Sequence, residues 1–232
     1  MCFSAEASFG ASAVLGTIGV IALRKTTHPN QNLFAAIPIF FALQQLSEGF
    51  VWLSFMIPKW EPYRLLFASV FLVFALLVWP VWVPLSVWLL EQKNRFRKLL
   101  LALVLFGFSF ALLVGFFLFS HSVFPEILNH HIHYQLGFKN ELAKGASLFY
   151  FIPTILPPLF SPKKPVKLVG IFLLVSYLFS QFYFPQAVVS VWCFLAAFVS
   201  LLVLRAVLKM QEDPGSESAN GAGKLLFLRK KR

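Results

Sequence analysis

Charge is what this sequence has least of. Asp, Glu, Lys and Arg make up 12% of its 232 residues, about half the roughly 25% of soluble domains. Hydrophobic residues make up 59%, with 29 Phe, and the mean hydropathy is +0.77. Such a chain is expected in lipid rather than in water. Cysteine is also scarce. Cys2 and Cys193 are the only two, which excludes a disulfide framework and leaves room for at most one bridge. Familiar catalytic signatures are missing as well: no HExxH, no paired CxxC, no GxGxxG, no Walker loop, no Ser-centred elbow and no C-x-x-C-H. Lys98 and Lys167 fall at expected span ends, so neither resembles a retinal-binding lysine. The segment Met1–Gly10 lacks the basic region of a cleavable signal, its one charge being Glu6, and reads as the approach to a first span.

What the sequence does have is a series of apolar runs near the ~20 residues needed for one crossing. Seven are expected: Ala5–Leu23, Leu33–Ile57, Leu65–Leu90, Leu99–Phe119, Ala143–Phe160, Leu168–Phe184 and Ala187–Leu208. The expected fold class is an all-α polytopic membrane protein of seven transmembrane helices. Residues 1–209 would form that domain and 210–232 a flexible basic tail. In the first run Ser8, Ser12 and Gly16 recur at i, i+4, i+8 with Gly19 close by, a small-residue face on which another helix can pack closely. Pro80 and Pro84 predict a kink in the third run. Pro153, Pro157 and Pro158 make the fifth the least regular. Ser120–Glu141 reads as the longest loop, and the corner Phe184-Pro185-Gln186 separates the last two spans.

The basic residues sort by side. Arg24, Lys25, Lys93, Arg95, Arg97, Lys98, Lys163, Lys164, Lys167, Arg205, Lys209, Lys224, Arg229, Lys230, Lys231 and Arg232 follow odd-numbered spans; only Lys59, Arg64, Lys139 and Lys144 follow even ones. The positive-inside rule then puts the N-terminus outside and the C-terminus in the cytoplasm of a cell inner membrane. The net charge of +11 thus reflects topology and lipid-facing charge, so the partner is the bilayer and not nucleic acid.

The chemically distinctive stretch is Gln44-Gln45-Leu46-Ser47-Glu48-Gly49, inside the second run. A carboxyl and two carboxamides within a span are costly unless partnered, and mark a functional-site candidate. Gln44, Glu48 and Trp52 share one helical face. With the second span running outward, Glu48 lies roughly 13 Å below the outer surface and Cys193 roughly 9 Å below it. Cys2 falls at the outer head of the first span. His121, His130, His131 and His133 fall in the outer connection, while His28 is the one histidine on the other side.

Carboxylate, imidazole and thiolate suit zinc or copper, so Cys2, Glu48, His130, His131, His133 and Cys193 form a candidate ligand set. Glu48 and Cys2 are the candidate catalytic groups, and Gln44, Gln45 and Trp52 the candidate polar lining. Plainer readings stand beside these. The histidines fit a solvated loop, Cys2 an ordinary helix start, and Cys193 a small hydrophobe among Val191, Trp192 and Phe194. Glu48 fits a protonated, hydrogen-bonded carboxyl that holds helices together. A Cys2–Cys193 bridge is also conceivable on the outer face.

Three segments carry a resemblance: Met1-Cys2-Phe3-Ser4-Ala5-Glu6-Ala7-Ser8-Phe9, Ala42–Trp52, and Ser190-Val191-Trp192-Cys193-Phe194-Leu195-Ala196-Ala197. Together they resemble an uncharacterised family of bacterial multi-pass membrane proteins that begin Met-Cys-Phe-Ser. The resemblance implies that Cys2, Gln45, Glu48, Trp192 and Cys193 belong to that family's own pattern, and it implies no activity. Seven-span zinc-dependent hydrolases related to alkaline ceramidases are a more distant analogy, and their Ser, Asp and His motifs have no matching form here. The expected function is an integral membrane protein with an outward-facing polar or metal site, a metal-dependent enzyme on a lipid or small molecule. A small-solute or ion transporter is the alternative, and a receptor or structural module the third class.

Overall fold

The computed structural model describes residues 4–92, 95–128, 131–137, 140–185 and 188–212. Helix α1 (Ala5–Arg24) begins where the Ser4 hydroxyl accepts the Ala7 N–H at 3.2 Å, which satisfies one orphan donor of the first turn. The second apolar run is not one rod. A 3₁₀ turn at Pro29–Gln31 leads into α2 (Asn32–Ala35), and α3 (Ile37–Met56) follows after a break at Ala36. Pro38 accounts for the break, because it lacks the N–H that would have reached the Phe34 carbonyl across Ala36. A 3₁₀ segment (Pro58–Tyr63) then connects to α4 (Arg64–Leu72), a π-helical turn (Val73–Val78) and α5 (Trp79–Leu90).

That third run was expected to kink at its prolines. The chain is helical from Arg64 to Leu90, with a π turn just ahead of Pro80. Widening the hydrogen-bonding ring ahead of a proline is a recurrent way to absorb its missing donor. Pro84 also removes the N–H that would have reached the Pro80 carbonyl. This carbonyl lies against Gly107 of α6 (Arg97–Ser120), so close that a Cβ there would overlap the oxygen. Glycine at 107 is therefore dictated by the freed carbonyl across the interface.

The segment expected to be the longest loop holds an antiparallel hairpin, β1 (Val123–Leu128) paired with β2 (His131–Leu136). Its inner face has an alternating pattern that the loop reading overlooked: Ile132 and Tyr134 are buried, and Tyr134 stacks on Phe71 with centroids 4.9 Å apart. Beyond it come α7 (Asn140–Leu159) and α8 (Lys164–Tyr183). The expected seventh span is two helices, α9 (Val188–Ala197) and α10 (Val199–Glu212), separated by a turn at Phe198.

Six stretches among the described residues are long and apolar enough to cross a membrane: Ala5–Arg24, Pro29–Met56, Pro58–Leu90, Arg97–Ser120, Lys164–Tyr183 and Val191–Glu212. The expected fifth span lies on α7, whose stretch Phe149–Leu159 is a shorter apolar helix. The architecture is that of an all-α, multi-pass membrane protein, with the small hairpin at one end. On α6, Leu101, Leu105, Leu112, Phe116 and Phe119 are exposed, a surface suited to lipid and unsuited to water.

Lipid supplies no hydrophobic drive between helices, so close packing and hydrogen bonds hold the bundle. The small-residue face of α1 meets α3 as its spacing predicts. Ser12 donates to the Ala42 carbonyl at 2.8 Å. A Cβ at Gly19 would come within 2.6 Å of Ile39, and one at Gly16 within 3.7 Å of Ala42. This seam fixes the height of α3, and with it the polar stretch.

Candidate functional site

Residues 44–48 sit in the middle of α3, and every polar side chain among them is buried. Gln44, Gln45 and Glu48 have 0% exposure and Ser47 has 5%. Local bonds satisfy part of this polarity. The Gln45 amide donates to the Glu48 carboxyl at 3.3 Å, and Ser47 donates to the Gln44 carbonyl at 2.8 Å. The decisive partner comes from another helix. The Trp79 indole N–H of α5 donates to Gln44 Oε1 at 2.7 Å, and the same ring stacks on Phe41 with centroids 4.1 Å apart.

An indole can only donate, so this bond fixes which way the Gln44 amide faces. Its Nε2 is buried and faces the Cys193 thiol, its one candidate acceptor, without a close hydrogen bond; the Trp52 indole, two turns along the same face, has no acceptor among the described residues. Two unused donors thus flank Glu48 on one side of α3. Cys193, brought by α9 and 5% exposed, lies beside the Gln44 carboxamide and within electrostatic range of Glu48. Tyr150 of α7 lies within electrostatic range of the same thiol and meets the Trp192 ring edge-on at 5.4 Å. The Trp192 indole donates to Ser176 of α8 at 3.2 Å, which fixes α9, and so Cys193, against the bundle.

A narrow apolar slot runs alongside. It measures about 30 Å³, within about 510 Å³ of unfilled space that includes its mouth. Trp79, Val83 and Val87 of α5 and Tyr150, Thr154 and Pro158 of α7 line it, both sets at i, i+4, i+8. Thr154 spends its hydroxyl on the Tyr150 carbonyl at 2.7 Å, so the wall stays apolar. Cys193 and Trp192 stand at the end near Gln44.

Other expected site residues are placed elsewhere. His121 caps the end of α6, its Nδ1 3.0 Å from the Phe117 carbonyl. His131 and His133 both belong to β2; the first packs against Phe184 with centroids 5.6 Å apart, and the second is registered opposite Glu126. The solvated-loop reading fails for His131, which is buried. His28 precedes the 3₁₀ turn at Pro29. Cys2 and His130 lie outside the described residues, and Cys193 is a free thiol. Among the described residues no three His, Cys, Asp or Glu side chains stand together as metal ligands. Glu48 and Cys193 thus lie within electrostatic range of each other, and the described histidines do not complete a set of three with them.

Sequence reasoning missed Trp79 and Tyr150. Trp79 sits beside Pro80 in a run of uniform hydrophobicity, and no spacing rule connects it to Gln44, 35 residues away. A second buried carboxyl was also missed. Glu91 is 4% exposed and accepts from Ser161 at 2.6 Å, with Lys163 3.8 Å away. In the sequence it reads as one more charge in a polar loop.

No curated protein and no solved structure matches the chain. Its Met-Cys-Phe-Ser opening, its Gln-Gln-Leu-Ser-Glu-Gly core and its Trp-Cys pair nonetheless fall within a single sequence family. The model of a family of unknown function (DUF6629) matches residues 1–218, and the chain belongs to that family.

Proposed function

We propose that this is a seven-crossing protein of a cell inner membrane, with its N-terminus outside and its C-terminus in the cytoplasm. In its outer half it binds a lipid or another small lipid-soluble molecule at the Glu48 centre. The observation that carries this reading is the complete burial of Gln44, Gln45 and Glu48, with donors left over that packing alone does not use. Buried polar groups without partners cost about 1–3 kcal/mol each, and they persist where a bound molecule supplies what the protein does not. Sorting of the basic residues supports the orientation. The apolar wall of the slot supports binding over conduction, because a solute path would continue the polar lining toward the cytoplasm.

A metal-dependent enzyme is the second reading, favoured by Glu48 and Cys193 lying within electrostatic range of each other. Cys2 and His130 would have to complete its ligand set, and zinc or copper would then polarise a substrate carbonyl. One experiment separates the two. Protein purified with native lipid is analysed for metal and for retained small molecules, alongside Glu48→Gln and Cys2→Ser. Binding predicts a molecule retained by the wild type and by Cys2→Ser but depleted in Glu48→Gln. Stoichiometric zinc or copper lost in both variants would favour the enzyme. Identical contents and identical thermal stability in all three proteins would sink both readings.

A further inference from the structure

We infer that the basic heads of α6 and α8 form a docking surface for anionic phospholipid. Headgroup phosphates lie against Arg95, Lys98, Lys164 and Lys167, and the acyl chains lie on the exposed apolar stripes of the two helices. This surface is independent of the Glu48 centre. Both heads belong to one junction. Phe96, just ahead of α6, meets Phe160 at the end of α7 with ring centroids 5.2 Å apart. Arg95 lies over the Phe96 ring, 4.6 Å from its centroid. Lys163, just ahead of α8, donates to the Leu90 carbonyl at the end of α5 at 3.3 Å.

The protein does not offset the charge gathered there. Between Gln92 and Pro125, and again between Leu142 and Gln211, the sequence has no Asp or Glu. The one buried carboxyl described at the junction, Glu91, is taken up by Ser161 and Lys163. Arg97 spends its guanidinium on Gln92 and on the Trp88 ring. Arg95, Lys98, Lys164 and Lys167 are exposed and make no ion pair among the described residues. The backbone adds to the same field. Both α6 and α8 begin here, without an acidic residue in the first turn and without a side-chain cap. Cations at the positive end of a helix reverse the favourable arrangement, and an anion there offsets both.

The surface beside these cations selects a lipid over a free anion. Leu101 and Leu105 follow Lys98 at i+3 and i+7 on α6, and Leu168 and Ile171 follow Lys164 at i+4 and i+7 on α8; all are exposed. Those spacings keep each apolar stripe on the same helical face as its lysine, which matches a headgroup above acyl chains. The headgroup must be net anionic, because choline or ethanolamine would bring another cation to a patch that already lacks counter-charge.

The test is native mass spectrometry of the full-length protein in detergent, titrated with dioleoylphosphatidylglycerol and, separately, with dioleoylphosphatidylcholine. The glycerol lipid is expected to bind about tenfold more tightly. The triple variant Lys98→Gln, Lys164→Gln, Lys167→Gln should bring the two lipids to within about twofold of each other. A control triple, Arg24→Gln, Lys25→Gln, Arg205→Gln, removes the same charge from other helices and should keep the preference. All of these side chains are exposed, so both triples should fold. Equal binding of the two lipids by the wild type overturns the proposal. Equal loss in the two triples overturns the α6–α8 surface in favour of a diffuse positive charge. Displacement of the lipid by inorganic phosphate or by polyglutamate at matched concentration makes the occupant a free anion or an acidic protein, and overturns the lipid assignment.

Discussion

Among the described residues two glutamates are buried in this bundle, and their settings differ in kind. Glu91 closes α5 at the end of the bundle away from the hairpin. Its carboxyl accepts from Ser161 at 2.6 Å and faces Lys163 at 3.8 Å, while the same ammonium donates to the Leu90 carbonyl at 3.3 Å. These contacts tie α5 to the junction of α7 and α8, and a structural role accounts for them fully. Glu48 lies in mid-helix, and one of its side-chain partners is a neutral carboxamide on its own helix. The groups around it include donors that nothing described uses. A buried carboxyl set in an ion pair belongs to the scaffold; one set beside buried donors such as the Trp52 indole is the candidate for a ligand.

The largest effect is expected where the pair is ionic. Removing one partner of a buried ion pair leaves the other uncompensated, at about 3–5 kcal/mol when both are fully buried. Lys163 retains 29% side-chain exposure, so solvent screens part of that penalty. Glu91→Leu should destabilise the protein by roughly 2 kcal/mol, measured by denaturant unfolding in micelles. Lys163→Met in the same background should recover most of the loss. No recovery would mean that the Lys163 contact is not what Glu91 contributes.

Trp79→Phe comes next. It keeps the stacking on Phe41 but removes the only donor described for Gln44 Oε1, leaving the whole carboxamide unsatisfied. Interhelical hydrogen bonds in membranes average about 0.6 kcal/mol, and the stranded amide adds to that loss. A cost of about 1–2 kcal/mol is expected. A neutral result would show that Gln44 already has another partner, and would remove the basis for treating Nε2 as available.

How much of this was legible beforehand follows from the kind of signal each feature leaves. The small face of α1 could be read because a helix repeats its neighbours every three or four residues, and Ser12, Gly16 and Gly19 do meet α3. Gln44 to Glu48 stood out because polarity inside an apolar run is conspicuous. The hairpin was hidden by its composition: Asn129-His130-His131-Ile132-His133-Tyr134 looks polar, and only the alternation of Ile132 and Tyr134 against Phe71 gives it a core face. The pairing of Trp79 with Gln44 and the slot itself left no trace in spacing, since they arise from α3, α5, α7 and α9 meeting in three dimensions. Helix breaks at Ala36 and Phe198 were likewise invisible to hydropathy, which averages across them.

Glu48→Gln tests whether the second glutamate resembles the first. The replacement is nearly isosteric, and its carbonyl can still accept the Gln45 amide, so stability should change by less than about 1 kcal/mol. Retention of a bound molecule should fall even so. A loss of several kcal/mol, comparable to breaking an ion pair, would place Glu48 in the same structural class as Glu91 and erase the contrast.

The smallest stability effect is expected at Gln44→Leu, and the reason is an exchange. The substitution removes the acceptor for the Trp79 indole, which then becomes an orphan donor, but it also removes the orphan Nε2 of Gln44 itself. One unsatisfied donor replaces another in a site of similar volume, so the net change should be close to zero. Trp79→Phe combined with Gln44→Leu should be neutral or slightly stabilising, because both polar partners are then gone together. The single Trp79→Phe change should remain the worst of the three. That ordering distinguishes a carboxamide held for a ligand from one that braces the bundle: a brace would make Gln44→Leu and Trp79→Phe cost the same.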